Sequence, residues 1–474
     1  MLLSHANYLL LCTAGAIALL MLFILRAKLH PAIAILCSAI VLGVVSGMPP
    51  GQIPASIATG VGNLLSHVAL VLGLGAVLGH LLASSGGAAA VGEGLVNRFG
   101  PKGLPFAMML MGILVGFPVF FEVGLVLLMP IIVSVARRSD RPAIVTGLPT
   151  LAGLSIVHGL IPPHPAAMMA VVQYHADVGR TILLGIVAGL PAALLAGPGY
   201  AWVYARIPFR PRPASPSLIE VRQQATAKSF AGELASDTEA AAHIPVRHAL
   251  LVSVSLVALL LPVALIFLGS WADWLTAPRG MVNAALHLLG DPPVALLCAV
   301  LIAQALLGRV CHWSAARTLK LTGESFAPIA GILLILAAAG GLSRILNDSG
   351  AAQATIDLAQ SVHLSPLLLG WMLAAAVRLA IGSATVAMAV TTGILAPVAA
   401  SMGLSGGYGP ELLVLATGAG SLFCSHVNDP GFWMIKEFFG LELSETLATW
   451  SVLETLLSTA GLLGTLLLAS MLPN

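Results

Sequence analysis

Residues 103–136 read GLPFAMMLMGILVGFPVFFEVGLVLLMPIIVSVA, and Glu122 is the single formal charge among these 34 residues. The run is as long as one and a half membrane crossings, and Gly116-Phe117-Pro118 interrupts it near the middle. A charged side chain at the centre of a membrane helix costs about 2.5–3.5 kcal/mol, so such residues usually face a cavity, a partner or a proton path. We therefore predict a broken membrane helix in which Glu122 is a proton-coupling residue. The alternative is a glutamate that neighbouring helices satisfy without any role in transport.

The composition of the whole chain indicates a protein that crosses a membrane many times. Of its 474 residues, 58% are hydrophobic and 8% are charged, whereas a soluble domain carries about 25% charged residues. The net charge of +2 comes without a basic patch, so no nucleic-acid partner is expected. The five cysteines are scattered singly, so the sequence predicts neither a disulfide nor a metal site, and no cofactor is expected.

Hydrophobic segments of about 20 residues, each able to span the bilayer, recur along the chain. The predicted spans are 7–25, 30–48, 61–82, 104–115 with 117–136, 142–157, 180–204, 248–269, 292–308, 326–346, 366–381 with 383–400, 411–424 and 447–472. One long hydrophilic segment, 206–247, has the composition of a flexible linker. It divides the chain into an N-terminal membrane repeat, 1–205, and a C-terminal membrane repeat, 248–474.

The two halves carry similar markers in the same order, with an offset of 264 to 268 residues. The matched positions are Gly86 and Gly350, Gly116 and Gly382, and His158 and His426. Lys and Arg clusters flank the first-half spans on one predicted side, the cytoplasmic one, but the matching segments near 347–365 and 401–410 contain neither residue. The sequence therefore predicts an all-α polytopic membrane protein with two inverted-topology repeats and broken helices or re-entrant hairpins, a pattern typical of secondary transporters.

The breaks in the C-terminal half combine glycine or proline with small polar residues. Gly382-Ser383-Ala384-Thr385 begins one uncharged run, and a second break lies at 425–431. Free N–H groups at such half-helix starts favour a carboxylate, and Ser383, Thr385 and Asn428 add hydrogen-bond donors. We predict these three side chains as substrate-binding residues, while tight packing of small residues is an equal alternative for Ser383 and Thr385.

Two charged residues near these breaks have competing interpretations. Asp429 is predicted to be a second proton-coupling residue, but it could instead cap the following helix, or do both. Arg378 lies four residues before Gly382, and the favoured interpretation is that it snorkels to the membrane interface. Pairing with an anion or with Glu122 is the alternative.

Three histidines lie at or near breaks in both halves. His158 and His164 flank a proline-rich break, and His426 lies in the matched break of the second half. We predict all three as substrate-binding residues with a side chain that titrates near physiological pH. A structural role is the common alternative for any single histidine, and no ligand spacing indicates a metal site.

Four segments resemble the gluconate:proton symporter family, the gluconate permeases of bacteria. They are GFPVFFEVGLVLLMP (116–130), HGLIPPHP (158–165), GSATVAMAVTTGILAP (382–397) and SHVNDPGFWMIKEFF (425–439), and the likeness extends from residue 60 to residue 458. The resemblance implies a multi-pass carrier of the bacterial inner membrane, similar in fold to the ion-transporter superfamily, that imports sugar acids together with protons.

The substrate within this family stays open. The family often has Ala-Leu-Phe-Tyr-Glu where this chain has Pro118-Val119-Phe120-Phe121-Glu122, so the glutamate matches but Pro118 and Phe121 do not. Gluconate or a related small hydroxylated carboxylate is expected, and a glycerate-type acid or D-serine is the alternative. An intramembrane enzyme is disfavoured because HExxH, a paired GxGD and a serine elbow are absent. A homodimer is one candidate assembly.

Overall fold

The computed structural model describes residues 5–117, 121–206, 245–277, 280–351, 353–354, 365–401, 407–427 and 429–472, and every regular element in these ranges is a helix. The helices before the linker are α1 (His5–Leu25), α2 (Pro31–Val45), α3 (Ile53–Ser84), α4 (Gly87–Gly116), α5 (Phe121–Ser139), α6 (Ala143–Leu160), α7 (Pro165–Tyr174), α8 (Val178–Leu194) and α9 (Tyr200–Tyr204). Those after it are α10 (Pro245–Ser270), α11 (Ala272–Leu275), α12 (Met281–Gly290), α13 (Pro292–Val310), α14 (Ala315–Glu324), α15 (Ala330–Asp348), α16 (Pro366–Ile381), α17 (Ala384–Ser401), α18 (Gly409–Ser421), α19 (Pro430–Phe439), α20 (Leu443–Thr446) and α21 (Val452–Met471). Two π-helical segments, Leu195–Gly199 and Leu447–Ser451, precede α9 and α21.

The helices have the lengths and hydropathy of membrane spans. Seven helical runs in the described ranges are long and apolar enough to cross a bilayer, or eight when the two arms of bent α3, Ile53–Ser66 and Ala69–Ser84, count as one span. The structure thus confirms an all-α polytopic membrane protein. Other predicted spans form shorter apolar helices, α16 and α17 among them. The inverted relation between the two halves stays a prediction.

Helix breaks occur where the sequence predicts them. The predicted pair 366–381 and 383–400 corresponds to α16 and α17, and between them Gly382 has φ +84°, a left-handed conformation that only glycine adopts without strain. In the N-terminal half, α6 ends at Leu160 and α7 begins at Pro165. In the C-terminal half, α18 ends at Ser421 and α19 begins at Pro430. Ile161, Gly382 and Ser425 at these breaks are buried, so irregular backbone lies inside the helix bundle at each of them.

Helices of the two halves pack against each other around these breaks. The helix α7 packs against α17, α5 contacts α19, and α6 meets α18. At the α6–α18 crossing, a Cβ on Gly418 would lie 2.2 Å from the carbonyl oxygen of Gly159, so the two backbones touch directly. The breaks of both halves are therefore brought to one region in the interior.

The helix pair α4–α6 crosses at a similarly short distance, with two glycines at the contact. A Cβ on Gly112 would lie 2.3 Å from the Thr150 carbonyl oxygen, and a Cβ on Gly153 would lie 2.2 Å from that of Met109. Small residues that allow close backbone approach are the usual means by which membrane helices associate. This contact fixes α6, and hence His158, relative to α4.

The predicted division into 1–205, 206–247 and 248–474 falls partly outside the described residues. Residues 207–244, nearly the whole linker, lie outside the described residues. The helix α10 begins at Pro245, three residues before the predicted start of the C-terminal repeat. The division itself stays a prediction.

Candidate functional site

A cavity of about 70 Å³ lies where α5, α6, α16, α17, α19 and α21 meet. It is lined by polar or charged side chains from both halves: Ser155, His158, Arg378, Ser383, Thr385, Asp429 and Glu454. Four of these seven, His158, Ser383, Thr385 and Asp429, are residues that the sequence singles out as binding or coupling residues. The structure thus brings side chains separated by more than 200 residues into one polar site.

A buried ion pair forms one wall of the cavity. The Nη2 atom of Arg378 lies 2.6 Å from the Oδ2 atom of Asp429, and the arginine side chain is only 3% exposed. Its Nη1 atom donates to the carbonyl oxygen of Gly382, at the break between α16 and α17. The favoured prediction that Arg378 snorkels to the interface is therefore wrong. The side chain turns into the protein because Asp429, 51 residues further along the chain, satisfies its charge there.

Asp429 also caps a helix. It is the N-cap residue of α19, and its Oδ1 atom accepts a hydrogen bond of 2.9 Å from the Gly431 N–H. The capping alternative is thus observed together with an ion pair, because the two carboxylate oxygens serve different partners. A proton-coupling role for Asp429 stays a prediction.

A chain of hydrogen bonds joins this ion pair to the π-helical segment Leu447–Ser451. The indole N–H of Trp450 donates to the Ser425 hydroxyl over 2.6 Å, and that hydroxyl donates to Asp429 Oδ2. Ser451 donates through its own hydroxyl to the Ser425 carbonyl oxygen. Networks of this kind hold a buried carboxylate in one position because each member orients the next.

The start of α17 contributes neutral donors to the cavity. Ser383 precedes the helix, and its hydroxyl accepts a hydrogen bond of 3.4 Å from the Val386 N–H. Thr385 lies in the first turn and is half-buried at the cavity wall. The positive end of the α17 dipole therefore faces the same space as Arg378, which favours a negative charge there.

Aromatic rings close the opposite side of the site. The rings of His158 and His164 lie 4.2 Å apart, and Phe121 contacts His158 edge-on at 6.5 Å. Phe121 also packs against Trp450 at 5.1 Å, which links α5 to the C-terminal half. His158 is buried, and its Nδ1 atom has no hydrogen-bond partner among the described residues. His164 does not line the cavity, but its ring contacts that of His158.

Besides His164, three predicted site residues do not contribute a described side chain to the cavity. His426 lies in the α18–α19 break, but its Nδ1 atom is 3.1 Å from the Cys424 carbonyl oxygen and it does not line the cavity. Asn428 lies outside the described residues. Glu122 lies in the first turn of α5, directly after Phe121, and its side chain is outside the described part of the structure.

The cavity also contains residues that the sequence does not single out. Ser155 lies one turn before His158 in α6, and Glu454 lies in the first turn of α21. Glu454 is the only formal charge between residues 446 and 474, which is the same signal that identifies Glu122. Ser155 carries no comparable signal, because serine is common in membrane helices.

A second, larger cavity of about 900 Å³ lies between α3, α7, α15 and the end of α17. Its polar lining includes Gln173, Asn347 and Arg344. Arg344 is 45% exposed and pairs with Asp348 at 2.9 Å, one helical turn further along α15. The volume is within the range of about 300–1,000 Å³ that is usual for ligand pockets.

Known proteins resemble this chain over its whole length. A model of the GntP family permease matches residues 8–472. The chain belongs to the GntP permease family. A gluconate permease of Pseudomonas aeruginosa is 41% identical and a high-affinity gluconate transporter of Escherichia coli is 38% identical, with 97% or more of each chain covered. The D-serine transporter DsdX of Escherichia coli is 32% identical over 96% of both chains.

The fold is shared with a solved transporter structure. Neisseria gonorrhoeae MtrF, described as representing a class of antimetabolite efflux pumps, superposes with a TM-score of 0.67 at 15% identity, over 94% of this chain and 96% of MtrF. This GntP permease is therefore a multi-pass membrane transporter and not an enzyme, so the intramembrane-enzyme alternative is excluded.

Proposed function

We propose that this GntP permease imports gluconate or a related small hydroxylated carboxylate by proton symport across the bacterial inner membrane. The cavity around Arg378 is proposed as the substrate site, and a homodimer as the assembly. The observation that carries the proposal is a buried guanidinium whose hydrogen bonds are incomplete. The Nη1 and Nη2 atoms donate to the Gly382 carbonyl oxygen and to Asp429, while the Nε–H group has no partner among the described residues.

A substrate carboxylate supplies what this guanidinium lacks. An arginine side chain has five N–H donors in a planar fork that matches carboxylate geometry. Leaving one of these donors buried and unpaired costs free energy, which a carboxylate oxygen would recover. The start of α17 adds a favourable dipole at the same place, and Ser383 and Thr385 offer hydroxyl groups to the hydroxyls of a sugar acid.

Similarity to known relatives favours an acid over a zwitterionic amino acid. Asp429 is already bonded to Arg378, which leaves Glu454 as the carboxyl group among the described cavity residues that a substrate ammonium group could meet. The hydroxyls of Ser383 and Thr385 can hydrogen-bond to the hydroxyl groups of a polyol chain. The gluconate-transporting relatives are more similar to this chain than the D-serine transporter is. A glycerate-type acid fits the same charge pattern and is the second candidate.

The volume of the site implies that it changes shape during transport. About 70 Å³ is well below the roughly 300–1,000 Å³ of usual ligand pockets, so the cavity must widen for a hexonate to enter. We infer that the structure has the site closed, and that the larger cavity beside α7 is the route by which substrate arrives. Carriers built from broken helices alternate between such states around a fixed site.

Uptake by the purified chain in liposomes tests the proposal. With an acidic exterior we expect gluconate to accumulate above its external concentration, and we expect a protonophore to abolish the accumulation. Unlabelled gluconate and glycerate should compete with labelled gluconate, and D-serine should not. Gluconate uptake no higher than that of empty liposomes would exclude gluconate as a substrate of this protein. Uptake that only equilibrates, with or without the pH gradient, would exclude symport.

A further inference from the structure

Glu454 occupies the candidate site without an evident structural task. It lies in the first turn of α21, is 1% exposed and lines the cavity. Its Oε1 atom has no hydrogen-bond partner in the described part of the chain. Buried polar atoms in proteins are nearly always paired, so an orphaned carboxyl oxygen that faces a cavity indicates a missing ligand.

The charged and titratable neighbours of Glu454 are few. Among the described residues that line the cavity they are His158 from α6, Arg378 from α16 and Asp429 before α19. Ser155 is its hydrogen-bonding neighbour. Glu122 follows the cavity residue Phe121, and its side chain is outside the described part.

The other helices that pack against α21 carry their charges elsewhere. In α18 the one charged residue is Glu411, eleven residues or about 16 Å of helix before Leu422 at the cavity. In α8 it is Arg180, which lies over the ring of Tyr408 near that same distant end. Glu445 of α20 closes a capping box with Glu442.

Charge balance gives the orphaned carboxyl a specific task. Arg378 and Asp429 neutralise each other, so an ionised Glu454 would be the uncompensated charge of the described site. A buried carboxylate without a bonded cation costs far more free energy than the neutral acid. It would also repel a second carboxylate at a separation of a few ångströms in a medium of low dielectric constant. A substrate anion and a deprotonated Glu454 therefore exclude each other.

We propose that Glu454 is the side chain that carries the coupled proton, an inference that rests on the proposed proton symport of a carboxylate. A proton from the outer solution binds the Glu454 carboxylate and forms the neutral acid. The substrate carboxylate then binds Arg378, and the proton and the anion together leave the net charge of the cavity unchanged. After the site opens inward, the proton passes to water and the restored negative charge expels the anion.

The Glu454→Gln variant tests this assignment, because glutamine imitates the protonated acid but cannot release a proton. We expect it to bind gluconate and to exchange internal for external gluconate, while acid-driven accumulation is lost. For the wild type with one coupled proton, gluconate affinity should fall about tenfold per pH unit once the pH exceeds the range in which the carboxyl is protonated. In the variant the affinity should be independent of pH.

Glu411→Gln is the matched control, since Glu411 is also a buried membrane glutamate with one carboxyl oxygen unpaired among the described residues. Glu411 lies outside the cavity, so gluconate accumulation by Glu411→Gln and the pH dependence of its gluconate affinity should equal those of the wild type. Glu454→Asp keeps an acid at the position and should retain a pH-dependent affinity. This variant keeps the test decisive if Glu454→Gln does not fold.

The outcomes separate this proposal from the proposed function. If wild-type liposomes accumulate gluconate and Glu454→Gln accumulates it equally, Glu454 is not the proton carrier although symport stands. The same conclusion follows if Glu122→Gln alone loses accumulation, or if folded Glu454→Asp has lost the pH dependence of its affinity. If the wild type itself shows no acid-driven accumulation, the proposed function fails first.

Discussion

The break between α6 and α7 and the break between α18 and α19 are matched in the sequence, but they differ in charge. The first contains a pair of histidines whose rings contact each other at a tilt of 49°, and its N-cap residue His164 makes no side-chain cap bond to α7. In the second, Asp429 caps α19 and pairs with Arg378. Among the described residues that line the cavity, the N-terminal half thus contributes Phe121, Ser155 and His158, whereas the charged side chains Arg378, Asp429 and Glu454 come from the C-terminal half. Two halves with the same pattern of breaks therefore contribute different side chains to the cavity.

Among the substitutions proposed here, removal of Arg378 should have the largest effect on both stability and gluconate uptake. Arg378→Gln leaves Asp429 buried without its cation, which costs about 3–5 kcal/mol of stability, and it also removes the proposed partner of the substrate. We expect saturable gluconate uptake to disappear. Thermal unfolding of the purified protein and gluconate binding measure the two effects separately.

Two further variants distinguish the loss of the cation from a general loss of structure. Arg378→Gln combined with Asp429→Asn removes both charges, so it should recover most of the stability but none of the binding. Arg344→Gln, at the half-exposed pair in the larger cavity, should change stability by less than about 1 kcal/mol. Wild-type gluconate affinity in Arg378→Gln would place the substrate elsewhere.

The hydroxyls at the start of α17 should matter less than the guanidinium. Ser383→Ala and Thr385→Ala each remove one neutral donor from the cavity, and each should weaken gluconate affinity by about 1–3 kcal/mol, or about 5- to 150-fold. Thr392→Ala is the control in the same helix, because its hydroxyl donates to the Met388 carbonyl oxygen within α17. Binding isotherms in which all three variants match the wild type would remove α17 from the site.

The helix crossings of the two halves should differ in their tolerance of a methyl group. Gly153 of α6 touches the α4 backbone, so Gly153→Ala should cost about 1–3 kcal/mol of stability. A Cβ on Gly370 of α16 would lie 3.0 Å from side-chain atoms of Leu413 and Thr417, and these can shift slightly. Gly370→Ala should therefore lower the unfolding temperature less than Gly153→Ala. Equal shifts would mean that both crossings are equally rigid.

The matched histidines provide the finest test. His158 lines the cavity, and its Nδ1 atom has no partner among the described residues. His426 lies outside the cavity, and its Nδ1 atom is close to the Cys424 carbonyl oxygen. His158→Gln keeps one polar group and should weaken gluconate affinity by about 0.5–1.5 kcal/mol, or about 2- to 13-fold. His426→Gln should leave the affinity unchanged. A larger loss in His426→Gln than in His158→Gln would reverse the proposed division between the halves.

Local features of this fold are predictable from sequence because they depend on neighbouring residues. The α16–α17 break follows from Gly382 and the small residues after it, and the Asp429 cap follows from an aspartate directly before Pro430. Four of the seven polar or charged cavity residues are found in the same way, from their position at breaks.

The remaining site residues depend on tertiary contacts that no local pattern contains. Arg378 is 51 residues from its partner Asp429, and an isolated arginine near a helix end looks the same whether it snorkels or pairs. Glu454 carried a usable signal as a lone charge in an apolar run. Its proximity to His158, almost 300 residues earlier, requires α6 and α21 to pack together, which only the folded chain shows.

The π-helical segment Leu447–Ser451 constrains how this protein can change over evolutionary time. A π-helix accommodates one more residue than an α-helical turn, and each residue of a helix rotates the next by about 100°. Deletion of Ser451 would turn Trp450 and everything before it by that angle relative to Glu454. Tyr200 donates to the Ala448 carbonyl group inside the segment and so adds a second anchor. Substitution of the exposed Leu447 should therefore be tolerated, but an insertion or deletion after Trp450 would separate the Ser425–Trp450 contact from the carboxyl in the next turn.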